Sequence, residues 1–156
     1  MKIGILGGSF DPAHKGHLAI SKEARKRFKL EKIIWAITKK NPLKAESKTP
    51  ISKKIKDCKK IIGMNSFIKV KFYENIIKSN KTIDLINYIK KNKNVEIFFL
   101  MGADNLISFH RWHKSELISQ KCNIIVFDRH GYKKNSLKSK TFKKLNNKAL
   151  TFVKVD

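Results

Sequence analysis

Apolar residues fall into two rhythms along this 156-residue chain. The continuous apolar run at 33–37 and the largely apolar stretches at 3–6, 95–101 and 123–127 predict strands buried in a parallel sheet. Residues 67–72 instead alternate apolar and basic side chains, which predicts a strand nearer the sheet edge, and 150–155 reads as a last short strand. Between these runs the period changes to that of a helix. Leu18, Ile20, Ala24 and Phe28 form one stripe, and Ile51, Ile55, Cys58 and Ile62 a second that Gly63 should end. Ile83, Ile86 and Ile89 form a third, with Thr82 expected as its N-cap and Lys90 and Lys91 closing it. Two short helices are expected at 105–109 and 114–118, around Trp112. Pro42 and Pro50 bar regular structure in a loop at 38–50. The Lys-, Asn- and Ser-rich stretch at 132–148 reads as a lid or a surface helix.

Strands and helices in alternation predict an α/β fold: a Rossmann-like, open, doubly wound parallel sheet in a single domain. Such sheets bind ligands outside the carboxyl ends of their strands. The loops beginning at Gly7, Thr38, Gly102 and Asp128 each follow a predicted strand, so all four should converge on one edge.

Composition narrows the class without deciding it. With 41% of residues apolar or aromatic, the chain can bury a substantial core. It has no apolar run of membrane-spanning length and no signal-like h-region, which places it in the cytosol. Cys58 and Cys122 form no Cys-x-x-Cys pair, so they are expected to be reduced, partly buried thiols, and no protein metal site is expected. The 36 Lys and Arg against 12 Asp and Glu give a formal charge of +24. Such a surplus attracts phosphorylated molecules and, nonspecifically, nucleic acid or anionic lipid. It is spread along the chain in company with Asn and Ile, as a coding bias would spread it, and no motif of a specific nucleic-acid reader accompanies it.

The chemistry is concentrated in Gly7-Gly8-Ser9-Phe10-Asp11-Pro12-Ala13-His14-Lys15-Gly16-His17. This stretch sits on a strand-to-helix turn. The glycines let backbone approach a ligand, Pro12 stiffens the loop, and amides opening the helix near Gly16 favour an anion. If that helix begins between His14 and His17, both rings can face one phosphate chain, carrying positive charge when the anion raises their pKa.

The string resembles the first motif of the nucleotidyltransferase superfamily, Gly-Gly-Ser/Thr-Phe-Asp-Pro before His-x-Gly-His, and is most similar to the version in bacterial nicotinate-nucleotide adenylyltransferases. A second match is Gly102-Ala103-Asp104-Asn105-Leu106 followed by Phe109, Trp112, Glu116 and Leu117. The resemblance implies contacts to the nucleotide from Gly8, Ser9, Phe10, Gly16, Gly102, Asp104 and Arg129. It implies phosphate-facing roles for His14, His17 and Lys44, and a nicotinate site at Thr82, Asp104 and Trp112. Asn41-Pro42-Leu43-Lys44 is a loose version of the family's Pro-Pro-His-Lys/Arg, Lys81 replaces a Tyr before Thr82, and His130 replaces a Pro after Arg129. The family's final Ile-Ser-Ser-Thr-x-Ile-Arg segment has no counterpart before Asp156, so one wall of the phosphate site is expected to be missing.

The implied reaction is adenylyl transfer from ATP, with Mg²⁺ held mainly by the nucleotide, to nicotinate mononucleotide. The products are nicotinate adenine dinucleotide and pyrophosphate. Two alternatives stand beside it: another small-molecule nucleotidyltransferase of the superfamily, and a noncatalytic basic binding protein that keeps the fold. Oligomeric state is not legible in the sequence.

Overall fold

The computed structural model describes residues 1–39, 49–91, 94–102, 105, 109, 111–128 and 150–154. The strands are β1 (Lys2–Gly8), β2 (Lys32–Ile37), β3 (Ile68–Lys71), β4 (Glu96–Gly102), β5 (Asn123–Asp128) and β6 (Leu150–Lys154). They form one six-stranded sheet in the order β3-β2-β1-β4-β5-β6. Every neighbouring pair is parallel. The doubly wound sheet expected from the alternation is therefore present, and β3 takes the edge position that its mixed pattern predicts.

The helices are α1 (Lys15–Phe28), α2 (Ile51–Ile62), α3 (Glu74–Ile77), α4 (Thr82–Ile89) and α5 (Ser115–Lys121). Consecutive strand residues point to opposite faces, so each apolar run feeds two cores. Phe99, Ile5 and Ile97 join Ile83 of α4 and Ile118 of α5 on one face. Phe98, Leu6 and Trp35 join Ile20 and Ala24 of α1 and Cys58 of α2 on the other. The winding therefore reverses between β1 and β4.

Local signals explain most helix ends. The α1 helix closes with Lys29 in the left-handed region, its N–H donating to Arg25 O, behind a basic last turn. Gly63, at φ 56°, ends α2 and donates to Lys59 O, as expected.

Other expectations need correction. Lys81, not Thr82, is the N-cap of α4, and Thr82 is its first helical residue. The reason lies one turn earlier: Ser79 Oγ accepts from Lys81 N and donates to Asp84 Oδ2, so Ser79 ties down the helix start. The short α3 helix has too few residues to show a period and was not foreseen. The last short helix runs Ser115–Lys121 rather than 114–118. Cys58 is fully and Cys122 almost fully buried, and both are free thiols. The expected segment at 132–148 and most of the 38–50 loop lie outside the described residues. Among the described residues, no helix is long and apolar enough to cross a membrane.

Candidate functional site

The carboxyl edge of the sheet opens where the winding reverses. Pairing of β1 with β4 ends at Leu6 and Leu100. On its other side β1 stays paired with β2 as far as Gly8 and Ile37, and β4 stays paired with β5 as far as Gly102 and Phe127. The two central strands thus part for their last two residues, which is the crevice that a switch point creates.

Gly7 and Gly8 occupy one lip of that crevice, one facing each layer. A Cβ on Gly7 would meet Phe99 Cζ at 3.7 Å, and one on Gly8 would meet the Phe10 ring at 3.7 Å. Neither contact is prohibitive. What two glycines in a row provide is a bare strand end across which a ligand can reach from one layer to the other.

On the Gly8 side the chain turns into α1. Phe10 is buried and held at φ 48°, a left-handed conformation that a bulky residue rarely adopts, at a cost of about 1–3 kcal/mol. Its ring stacks on Trp35 at 5.2 Å and leans on His17 at 4.6 Å, so packing holds the strained turn in place. The expected helix start between the two histidines is found. His14 is the N-cap and its Nδ1 accepts from Gly16 N at 3.1 Å, while His14 N donates to Nδ1 of His17 at 3.1 Å. The rings lie 3.9 Å apart.

This reciprocal cap fixes the tautomer. A backbone N–H can only donate, so each Nδ1 must carry a lone pair and each ring proton sits on Nε2. Two imidazoles beside the amides of the α1 first turn form a site for an anion's oxygens.

On the Gly7 side a small recess, with a volume of about 40 Å³, lies between the ends of β1 and β2 and the start of α4. Its walls include Gly7, Thr38, Tyr73, Thr82, Leu85 and Phe99. Lys81 makes no side-chain cap on α4, so the opening amides of that helix keep their preference for negative charge. Thr38 Oγ1 is buried and makes no hydrogen bond among the described residues. The recess wall is mostly apolar, with Thr38, Glu74, Ser79 and Lys81 among its polar groups.

Trp112 stands next to this recess without lining it. The half-buried indole meets Phe99 edge-on at 6.0 Å and Phe109 at 5.0 Å. The imidazoles and the indole thus pack on opposite layers of the sheet.

Residues 5–152 match the family described as cytidylyltransferase-like. The chain is 63% identical over 152 residues to a Pelagibacter ubique protein named "Probable nicotinate-nucleotide adenylyltransferase", covering 97% of this chain and 84% of that one. An Agrobacterium fabrum protein of the same name is 37% identical over 133 residues, covering 84% and 71%. The chain belongs to the nicotinate-nucleotide adenylyltransferase family. The fold agrees: nicotinic acid mononucleotide adenylyltransferase of Plasmodium falciparum, complexed with NaAD, superposes with a TM-score of 0.76 at 21% identity, covering 99% of this chain and 75% of that one.

Within this family framework, Gly8, Ser9, Phe10, His14, Gly16 and His17 share the first turn, Thr82 opens the recess, and Gly102 ends β4 on the far lip of the crevice. Lys44, Asp104 and Arg129 lie outside the described residues. The sequence reading missed Ser21, Lys54 and Glu74. Ser21 and Lys54 left a signal: each is polar on a row of its helix that is otherwise apolar, Lys54 preceding Cys58 and Ile62 by one and two turns.

Proposed function

We propose that residues 1–156 act as one nucleotidyltransferase domain that transfers the adenylyl group of ATP to nicotinate mononucleotide in NAD biosynthesis. A phosphate oxygen of the mononucleotide attacks the α-phosphorus in line, the bond to the β-phosphate oxygen breaks, and pyrophosphate leaves. No side-chain nucleophile is needed. Catalysis consists of alignment and of donors aimed at the phosphoryl oxygens. The observation that carries this reading is the pairing of an anion-accepting turn with a separate recess, on two sides of one glycine strip.

In this assignment Nε2–H of His14 and His17, with the backbone of Gly8, Ser9, Phe10 and Gly16, meets the triphosphate, and Lys44 adds charge. Gly102, Asp104 and Arg129 receive the adenosine half. Thr82, Asp104 and Trp112 hold the nicotinate half, its carboxylate toward the start of α4. ATP enters as its Mg²⁺ complex. Among the described residues no group of three or more His, Cys, Asp or Glu is placed to hold a metal. The first turn offers imidazoles, a hydroxyl and amides, with Asp11 the carboxylate beside them, its Oδ1 accepting from Thr49 Oγ1. That donor set suits an ion carried on the polyphosphate. The setting is the cytosol, and the partners are these two small molecules.

Pyrophosphate release from ATP with nicotinate mononucleotide tests the reading. Turnover is expected with that acceptor and should be lost when it is omitted. Release with a different acceptor only, or none with any, would replace it by one of the other two classes.

A further inference from the structure

Lys54 is the buried charge that the site does not use. It lies in the first turn and a half of α2, 1% exposed, on the inner row with Cys58 and Ile62. A lysine is seldom buried so completely without a partner. Its Nζ donates to the carbonyl oxygen of Thr38 at 3.4 Å. The other end of that same peptide group is also held: the N–H of Lys39 donates to Glu74 Oε1, at the start of α3, at 3.1 Å. Burial pushes the Glu74 carboxyl up from its ordinary value, while the bond from Lys39 and the charge of Lys54 oppose that rise. The preceding N–H, of Thr38, donates to Gly8 O at 2.8 Å.

One peptide unit therefore lies between an ammonium and a carboxylate brought in from two different helices. It stands where the chain leaves β2, and Thr38 and Glu74 both line the recess. The Lys39–Glu74 bond is charge-assisted and of ordinary length, the Lys54–Thr38 contact at 3.4 Å is longer and mainly electrostatic, and the two together oppose rotation of the peptide to relieve strain from a ligand.

We propose that Lys54 and Glu74 are positioning residues for the acceptor nucleotide, clamping the Thr38–Lys39 peptide so that this wall of the recess is preformed. The inference rests on the adenylyl-transfer reading only for the identity of that acceptor. Neither side chain is assigned a part in the chemistry itself.

Three variants of the full chain and one pair separate this role from mere packing. Lys54→Met keeps length and apolar bulk but removes the ammonium, and Glu74→Gln keeps shape but removes the carboxylate. Each should raise the KM for nicotinate mononucleotide about tenfold, as the loss of one charged hydrogen bond implies, and leave the KM for ATP within about twofold. Lys54→Arg should restore most of the loss. Losing either group leaves the other charge, Lys54 fully buried and Glu74 half-buried, without its opposite across the peptide and lowers the Tm, and the double variant Lys54→Met with Glu74→Gln should recover most of that Tm. If the pair positions the wall, the acceptor KM stays high in the double variant. A KM that returns to normal with the Tm, or rises equally for ATP, would overturn the clamp.

A readout without substrate keeps this distinct from the activity assignment. The amide proton resonance of Lys39 should shift in Glu74→Gln and Lys54→Met and not in a distant control such as Lys60→Met. A shifted amide in a protein that releases no pyrophosphate would leave the clamp standing and remove the proposed reaction. An amide unmoved in an active enzyme would do the reverse.

Discussion

The indole N–H of Trp35 donates to the hydroxyl of Ser21 at 2.8 Å, fully inside the layer between the sheet and α1. Ser21 passes the constraint on: the same hydroxyl donates to the carbonyl oxygen of His17, one turn earlier, at 2.8 Å. Trp35 in turn stacks on Phe10, which leans on the His17 ring. A strand in the sheet thus dictates where the first turn of the helix sits.

Ser21→Ala should be costly on both counts. The buried indole N–H would lose its partner, a penalty of about 1–3 kcal/mol that a urea unfolding midpoint would read directly. Turnover should fall as well, because the turn that carries His17 loses its tether. A variant with normal stability would show that the indole finds another acceptor, and would sink the account.

The reciprocal cap makes His14 an acceptor at Nδ1, and the proposed reaction gives it a second, separable job as donor at Nε2. Asparagine caps a helix as well as any residue but cannot place a donor where Nε2 stands. His14→Asn should therefore keep stability within a few tenths of a kcal/mol while kcat drops steeply, whereas His14→Ala should lose about 1 kcal/mol of stability in addition. His17→Ala should reduce kcat more than it raises the KM for nicotinate mononucleotide. Equal losses in the two constants would remove His17 from the transition state.

Much of this arrangement was legible before any coordinates. An uninterrupted apolar run such as 33–37 is satisfied by burial on two faces, so it announces a parallel sheet. The glycines and histidines of the first loop were equally plain, because residue types that suit phosphate stood together in sequence. What did not show was whatever depends on distant partners. Glu74 looks like any acidic residue until α3 carries it to the Lys39 amide. The helix start at Thr82 was misread by one residue because Ser79, outside the apolar stripe, does the anchoring. Phe10 gave no sign of its left-handed backbone, since sequence preference argues against it and its packing on Trp35 and His17 holds it there.

Two glycines of β1 should respond in opposite ways to the same added methyl. At Gly4 a Cβ would lie 2.9 Å from Leu30 Cδ1 and 3.2 Å from Ile33 Cγ1, so Gly4→Ala overpacks the core and should cost about 1–3 kcal/mol. Its KM values should stay normal. At Gly7 the nearest atom is 3.7 Å away, ordinary contact, so Gly7→Ala should fold normally. That methyl instead enters the recess, and the KM for the acceptor should rise by about tenfold, the order expected when a well-fitted ring is displaced. Paired unfolding curves and acceptor titrations would check both halves.

The two thiols predict how the fold answers alkali. Burial pushes Cys58 up to about 11 and Cys122 up to about 12 from the ordinary 9.0, and Cys122 Sγ also donates to Ile118 O. Both are protonated at neutral pH, so neither should react with a thiol reagent at pH 8 until the protein unfolds. The sign of the linkage follows from the raised values: the open chain gives up these protons first. Their contribution to stability is complete below about pH 9 and disappears as pH climbs toward 12. Lysines lose charge over the same range, so the comparison must be with Cys122→Ala. That variant should be less stable than the parent at pH 8 because it opens a small cavity. The gap should then shrink steadily above pH 9, since only the parent has the thiol to lose, and a gap that stays constant to pH 11 would show that the buried sulfur does not govern the alkaline limb.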